Sequence, residues 1–302
     1  MKFKYILSFL SIPFLSSILQ AQSQSVPASS QNDTIWKTEG NFQFLINQAA
    51  FNDDWQGGGT TNYSANIVVN YDIYYNKGKY AWDTKLLGDY GINKIKDQEF
   101  YRKTNDRLEL NSTIGRQIGQ SKWYTSAFVN FRSQFDKGYE FGEDVDGNDT
   151  RRLQTEFMSP AFTQLGFGIL WKESDDIRVN ISPVTGRIIT ANKKFTTTPG
   201  YVDGDFFGID EGESIRTEFG ASVNAFVKFK VMEGITVGNV LSLYSNYLED
   251  PLNVDIDYTL NLIMSVNKYI SANFTFQAIY DDNAVRGFQI REVLGVGLNY
   301  TF

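Results

Sequence analysis

Acidic residues at alternate positions come closer to a catalytic or metal-binding pattern than any other group in this sequence. Asp255 and Asp257 are separated by one residue, so in a β-strand both carboxylates would point to the same side. Two neighbouring carboxylates are a pattern that general acid–base catalysis uses. The pleat of a strand produces the same spacing without any chemistry. We therefore rank an enzyme as the least favoured of three functions and predict no catalytic residue.

A second acidic pattern resembles a calcium-binding loop. Asp144, Asp146 and Asn148 alternate with other residues, and calcium loops supply oxygen ligands at alternate positions. The position that should be glycine is Asp149, and the twelfth position is Thr155, with Glu156 one place late. We expect a solvated acidic loop, leave calcium binding open, and predict no metal site and no cofactor.

The composition removes many reaction types. The 302 residues include no histidine and no cysteine, so Ser-His-Asp and Cys-His catalysis, disulfides and iron–sulfur clusters are excluded. The 28 basic residues are outnumbered by 35 acidic ones, for a net charge of −7. An acidic chain is not expected to bind nucleic acid.

The N-terminal segment has the pattern of an export signal. Lys2 and Lys4 precede an apolar run over 5–19, and Leu19-Gln20-Ala21 is a small-residue cleavage pattern. We predict a signal peptide over 1–21. A flexible periplasmic arm is predicted over 22–35, because its Ser, Gln, Asn and Pro residues cannot bury apolar area.

The rest of the chain, 36–302, alternates between apolar and polar residues with a period of two. Such alternation predicts strands with one apolar and one polar face. The predicted strands are 40–50, 61–75, 80–94, 104–115, 122–136, 161–172, 176–189, 215–231, 235–248, 254–266, 270–281 and 289–302.

These twelve strands predict an all-β fold, a transmembrane antiparallel up-and-down β-barrel. Short connections alternate with long ones, and aromatic residues gather beside the short connections. Short periplasmic turns, long extracellular loops and interfacial aromatic girdles are typical of outer-membrane barrels. A soluble β-sandwich would also alternate, but it has no need of this asymmetry. The long acidic and aromatic loop 196–214 is predicted to fold into the barrel mouth or to contact a partner.

Successive residues of a strand point to opposite faces. If the apolar face of each predicted strand points to lipid, the polar face lines the lumen. Its charged members include both signs in equal number, which predicts weak ion selectivity. Charges on adjacent strands are expected to pair, for example Asp83 or Asp89 with Arg107. Bulky inward residues such as Phe128 and Tyr244 would narrow the lumen. The predicted lumen-lining residues are Asp83, Lys85, Asp89, Arg107, Glu109, Arg132, Arg178, Arg216, Glu218, Asp255, Asp257 and Arg291.

The last predicted strand resembles the C-terminal signal by which the outer-membrane assembly machinery recognises barrels. Its features are Gly297, Tyr300 and the final aromatic Phe302. Barrel-assembly machinery and outer-membrane lipid are therefore the expected partners.

Longer motifs resemble one family, the Bacteroidetes outer-membrane-associated family of unknown function DUF3078. The motifs are Asn47-Gln48-Ala49-Ala50-Phe51-Asn52-Asp53-Asp54-Trp55 with Gly57-Gly58-Gly59, Ser159-Pro160-Ala161-Phe162 with Gly166-Phe167-Gly168, Ser182-Pro183-Val184-Thr185-Gly186, Leu243-Tyr244-Ser245-Asn246-Tyr247-Leu248, Tyr280-Asp281-Asp282 and Gly295-Val296-Gly297-Leu298-Asn299-Tyr300. The resemblance implies a barrel in the outer membrane of a Gram-negative bacterium of that phylum. It implies no chemistry.

Two functions stay open on the sequence. The polar lumen parity favours a narrow channel for small polar solutes or ions. The bulky inward residues and pairable charges favour a closed structural or interaction barrel, with a protein or solute partner at the extracellular loops.

Overall fold

The computed structural model describes residues 35–52, 54 and 60–302. The predicted signal peptide and the arm up to residue 34 lie outside this part of the chain, as does the Gly57-Gly58-Gly59 triplet.

Twelve strands close into one antiparallel barrel, and each of them overlaps a predicted strand. Around the barrel the order is β1-β14-β13-β12-β11-β10-β9-β8-β5-β4-β3-β2. The strands are β1 Trp36–Ala49, β2 Asn62–Lys77, β3 Tyr80–Ile95, β4 Arg102–Gln117, β5 Trp123–Ser133, β6 Gly138–Glu143, β7 Asp149–Thr155, β8 Ala161–Lys172, β9 Ile177–Thr190, β10 Ile215–Met232, β11 Ile235–Asn246, β12 Val254–Ser265, β13 Ile270–Asp281 and β14 Val285–Thr301.

One long connection is more structured than the sequence predicted. The sequence predicts no strand between 136 and 161, but β6 and β7 form a separate two-stranded sheet there. Both strands are short and rich in charged residues, so they lack the long apolar alternation that marks the barrel strands. A short 3-10 helix, Lys193–Phe195, lies between β9 and β10. Within the described ranges, no helix has the length and apolar character needed to cross a membrane.

The outer face of the barrel is apolar. Ile290, Leu294 and Leu298 on β14 are exposed to 64 %, 59 % and 57 %, because alternate residues of a strand point away from the barrel and have no protein to pack against. Exposed aromatic side chains stand beside the short connections, among them Trp36, Tyr80, Trp82, Trp123 and Tyr269. An apolar outer wall flanked by interfacial aromatics is the surface that a barrel presents to lipid.

The two ends of the barrel differ. At one end, here called the turn rim, the connections are 78–79, 118–122, 173–176, 233–234 and 266–269, and Trp36 and Phe302 lie there too. At the opposite end, the loop rim, the connections are 50–61, 96–101, 134–160, 191–214, 247–253 and 282–284.

The first and last strands close the barrel. Gly40 and Phe302 exchange two backbone hydrogen bonds, with N···O distances of 2.7 and 2.9 Å. Gly297 lets the two strands approach, since a Cβ at this position would lie 1.9 Å from the carbonyl oxygen of Phe44. The three residues of the predicted assembly signal, Gly297, Tyr300 and Phe302, therefore lie at the closing seam.

The Ser182-Pro183-Val184-Thr185 motif forms a β-bulge in β9. On β10, Gly220 pairs with Thr185 and Ser222 pairs with Ser182, so β9 has one residue more than β10 between these two pairs. Proline has no N–H to give to the ladder and is accepted at such irregularities. The bulge changes which alternate residues of β9 point inward, so Arg178 before it and Arg187 after it both line the lumen.

Candidate functional site: the barrel lumen

The inward-facing side chains enclose a cavity of about 550 Å³. Ten of the predicted lumen residues line it: Asp83, Lys85, Asp89, Arg107, Glu109, Arg132, Arg178, Asp255, Asp257 and Arg291. Of the other two, Glu218 adjoins the cavity through its ion pair with Arg187, and Arg216 pairs with Glu218. Bulky inward side chains also line the cavity, namely Leu45, Leu87, Phe128, Leu170, Phe226 and Tyr244. The lumen is thus polar but partly filled.

Asp257 on β12 connects opposite walls of the barrel. Its carboxylate lies 2.7 Å from Nη1 of Arg132 and 3.6 Å from Nη2 of Arg107. Five strands separate β12 from β4, which carries Arg107, in either direction around the barrel. Arg107 also holds Glu109, at 2.5 Å. These contacts cross the lumen and constrict it.

A second ion network lies closer to the loop rim. Arg187 donates to Glu218 at 2.5 Å and to Asp255 at 2.6 Å. Arg216 donates to the same Glu218 at 2.8 Å, and its guanidinium also contacts Glu249 beyond the end of β11. Because β9 and β12 are separated by two strands, the Arg187–Asp255 contact spans a chord of the lumen.

A third group of charges lies closer to the turn rim. Lys172 on β8 lies 2.8 Å from Asp83 on β3, and both side chains are buried. Lys85 pairs with Asp72 at 2.8 Å. Its ammonium also lies 4.7 Å from the centre of the Phe226 ring.

The predicted pairing of Asp83 or Asp89 with Arg107 is wrong as a hydrogen-bonded contact. Asp89 is the register neighbour of Arg107, but Arg107 bonds Glu109 on its own strand. Asp83 pairs with Lys172 instead. Lys85–Asp72 and Arg187–Glu218 do pair across adjacent strands, but adjacent-strand reasoning gave no way to find pairs across the lumen such as Lys172–Asp83.

Four charged residues at the lumen were missed on the sequence, Glu39, Lys172, Arg187 and Asp281. Lys172 lies two positions after the inward Leu170 on β8, so the alternation of that strand could have predicted that Lys172 points inward. Arg187 has the opposite parity to Arg178, and only the bulge at 182–185 turns both of them inward. No simple alternation rule would have found Arg187.

Amide side chains form a large share of the lumen wall. Ten of the twelve barrel strands contribute them, and the twelve residues are Asn41, Gln43, Asn66, Asn70, Asn111, Asn130, Gln164, Asn180, Asn224, Asn261, Asn273 and Asn299. Several bond one another, such as Asn130 to Asn111 at 2.6 Å and Asn41 to Asn299 at 2.6 Å.

One group of carboxylates has the spacing of a cation site. Oxygens of Asp255, Asp281 and Asp282 lie within 4.8 Å of one another. Asp255 already has Arg187 as a partner at 2.6 Å, so part of this negative charge is compensated within the protein.

The connection 191–214 packs on the loop-rim wall. Ile209 is fully buried with Phe162 and Ile189, and Phe207 meets Phe162 edge-on at 5.8 Å. Arg216 donates to the carbonyl oxygen of Gly208 at 2.8 Å. Because Phe162 also lines the lumen and carries the Arg132 guanidinium 4.7 Å from its ring centre, this loop contacts the ion network.

The calcium-like segment forms the turn of the β6–β7 hairpin. Asp144 accepts hydrogen bonds from the backbone and side chain of Asn148 at 2.8 and 2.9 Å, and these bonds hold the pKa of its carboxyl below the usual range. Asp149 accepts from the backbone of Glu99 at 2.6 Å. Of the carboxylates of Asp144, Asp146 and Asp149, the first and the last therefore already accept hydrogen bonds within the protein.

Residues 46–139 match the model of a family described as a protein of unknown function, DUF3078. This is the family that the sequence motifs resemble. The chain has no match among curated proteins.

Three solved structures are similar to this chain over most of its length, at low identity. The translocator domain of the autotransporter NalP from Neisseria meningitidis is 10 % identical over 90 % of both chains, with a TM-score of 0.38. The COG4313 outer membrane channel from Pseudomonas putida F1 is 10 % identical over 87 % of this chain and 94 % of that one, with a TM-score of 0.36. The outer membrane channel DcaP of Acinetobacter baumannii is 10 % identical over 88 % and 97 %, with a TM-score of 0.32.

Proposed function

We propose that this chain is a narrow outer-membrane pore for small polar solutes or ions. The observation that carries the proposal is the cavity of about 550 Å³ lined by charged and amide side chains inside an apolar outer wall. A barrel of twelve strands lies between small barrels filled by side chains and porins of roughly 16–18 strands that enclose a wide channel. A narrow aqueous path agrees with that size.

The cross-lumen contacts of Asp257 act as the constriction of this pore. Charged groups in a confined lumen select ions by their sign and their position. Arg107 and Arg132 lie on neighbouring strands, and the Asp257 carboxylate reaches both guanidinium groups from the opposite wall. Positive and negative charges therefore compensate one another at the constriction, and the intact pore is only weakly selective for ions.

A second candidate function is a closed structural or interaction barrel. The specific observation that favours it is the same set of ion pairs, because contacts between opposite walls would block a path if they never open. In that case the loop-rim connections would be the functional surface.

Single-channel recording separates these two functions. The full-length protein, refolded and checked by its β-sheet circular dichroism, is inserted into a planar bilayer. Steady openings support the pore, and silence from folded protein supports the closed barrel.

The Asp257→Asn variant tests whether the constriction lies in the ion path. It leaves Arg107 and Arg132 without their shared carboxylate, so we expect the reversal potential in a salt gradient to shift toward anion selectivity. Asp146→Asn, at the tip of the exposed β6–β7 hairpin, is the control and should not shift. An unchanged reversal potential in Asp257→Asn would place this residue outside the path.

Three further proposals accompany the pore. Export by the predicted signal peptide and insertion by the barrel-assembly machinery would bring the chain to the outer membrane of a Gram-negative bacterium. The closing seam at Gly297, Tyr300 and Phe302 is the segment that this machinery would recognise. The chain acts without catalysis and without a cofactor.

A further inference from the structure

The charged groups of the lumen are largely satisfied by one another. Asp83 has Lys172, Asp72 has Lys85, and Asp257 has Arg132, at 2.7 to 2.8 Å. Such compensated pairs leave little net charge to attract a charged solute.

Hydrogen-bonding capacity remains on the amides and also on Arg187, Arg291 and Tyr244, each of which has a buried polar atom without a partner in the described part of the chain. Oδ1 of Asn66, Nδ2 of Asn224 and Oδ1 of Asn273 are buried and have no hydrogen-bond partner within the described part of the chain. Buried polar atoms without partners are costly and rare in native proteins. Asn70 and Gln164 line the same cavity and are only partly buried, so their amides face open lumen. The free groups include both donors and acceptors.

The same wall offers apolar contacts. Leu45, Leu87, Phe128 and Leu170 line the cavity between the amides. A cavity of about 550 Å³ lies in the size range of small-molecule sites, which combine apolar surface with a few placed polar groups.

We propose that the lumen takes neutral polyhydroxylated solutes, that is, small saccharides. A hydroxyl group both donates and accepts, as an amide does, so hydroxyls match the free groups of the wall. The C–H faces of a sugar ring match the leucine and phenylalanine side chains. An ammonium group would lose hydration in a lumen where Asp83, Asp72 and Asp257 already have cationic partners. A carboxylate would reach only guanidinium groups that already face carboxylates, Arg187 beside Glu218 and Asp255 and Arg291 beside Asp89. This inference rests on the proposed pore function and names its solute class.

Binding is measured first, on the full chain in detergent, by equilibrium dialysis with glucose, glucuronate and glucosamine. We expect glucose to bind more tightly than either charged analogue. Gln164→Leu and Asn70→Leu should weaken glucose binding about threefold to tenfold, the range for one lost hydrogen bond. Asn239→Leu, whose amide accepts from Tyr258 on β12 and does not line the cavity, is the control and should bind as the unmodified chain does.

A second variant covers the case in which leucine disturbs folding. Gln164→Glu keeps the side-chain size and adds an uncompensated carboxylate, so it should favour glucosamine over glucose. Equal or tighter binding of glucuronate to the unmodified chain, no binding of any sugar, or no change in preference in Gln164→Glu would overturn the proposal.

Osmotic swelling of proteoliposomes then separates this inference from the pore itself. Binding of glucose without swelling would contradict the pore and leave the solute class standing. Swelling at equal rates with all three sugars, without preferential binding, would contradict the solute class and leave the pore standing.

Discussion

At the scale of single residues, the Lys172–Asp83 pair distinguishes a buried lumen contact from a surface one. Both side chains are about 5–7 % exposed. Removing one partner of a buried pair leaves an uncompensated charge, which costs several kcal/mol. Lys172→Met should therefore lower the free energy of unfolding by about 3 kcal/mol, measured by urea unfolding from vesicles.

The chain offers a matched control at the turn rim. Lys122 pairs with Glu173, and these side chains are 57 % and 38 % exposed. Exposed pairs contribute less than about 1 kcal/mol, so Lys122→Met should have a small effect. If Lys172→Met and Lys122→Met lowered the free energy of unfolding equally, the Lys172–Asp83 pair would be solvated. Adding Asp83→Leu to Lys172→Met should recover part of the loss, because the unpaired carboxylate is removed.

Sequence reasoning found most charged lumen residues but not their partners. Alternation gives the face on which a residue lies, so Asp83, Arg132 and Asp257 could be placed on the inner wall. It does not give which residues meet across the lumen, because that depends on strand tilt and on the diameter of the barrel. Arg187 was lost for another reason, since the bulge at 182–185 shifts the parity.

At the scale of elements, the closing seam between β1 and β14 depends on Gly297. A methyl group there would lie 1.9 Å from the carbonyl oxygen of Phe44 and 2.8 Å from the Cα of Leu45, so the backbone must move. Gly297→Ala should lower the free energy of unfolding by about 1–3 kcal/mol, the range for overpacking. Urea unfolding measures this.

Gly186→Ala is the matched control, because a Cβ at Gly186 meets nothing within 4 Å. Gly186→Ala should leave the free energy of unfolding unchanged or raise it slightly, since alanine has less backbone freedom to lose on folding than glycine has. If Gly297→Ala were as stable as Gly186→Ala, the close approach at the seam would not be needed for barrel closure.

The connection 191–214 should behave as an ordered element. Phe206 stacks on Phe195 at 4.9 Å and meets Phe207 edge-on at 5.0 Å. Phe206→Ala removes the centre of this aromatic group, so the amides of Thr196 and Ile209 should exchange hydrogen faster. Val202→Ala, at a position exposed to 64 %, should leave exchange unchanged. Unprotected amides in the unmodified protein would contradict the packed loop.

Elements were predicted well where alternation is long and poorly where it is short. Strands such as β2 and β3 alternate over sixteen residues and were predicted to within two residues of their ends. The β6–β7 hairpin has strands of six and seven residues and lies outside the barrel, so no buried face imposes a pattern on it.

At the scale of the whole molecule, the barrel is expected to present an apolar wall to lipid and to enclose a water-filled polar lumen. The chain contains no cysteine, so a single introduced cysteine is a unique probe of either side. Neighbouring residues of one strand point to opposite faces, which supplies matched pairs. Asn70 faces the lumen and Val69, exposed to 40 %, faces outward. Asn261 and Leu260 form a second pair on β12.

The most direct test is labelling of these four single-cysteine variants in proteoliposomes with a charged, membrane-impermeant maleimide. We expect Asn70→Cys and Asn261→Cys to be modified, whereas Val69→Cys and Leu260→Cys should react only after the vesicles are dissolved and the protein is unfolded. Modification of the outward positions at the same rate as the lumen positions would contradict a lipid-facing wall. Protection of all four in folded protein would contradict the water-filled lumen and favour the closed barrel.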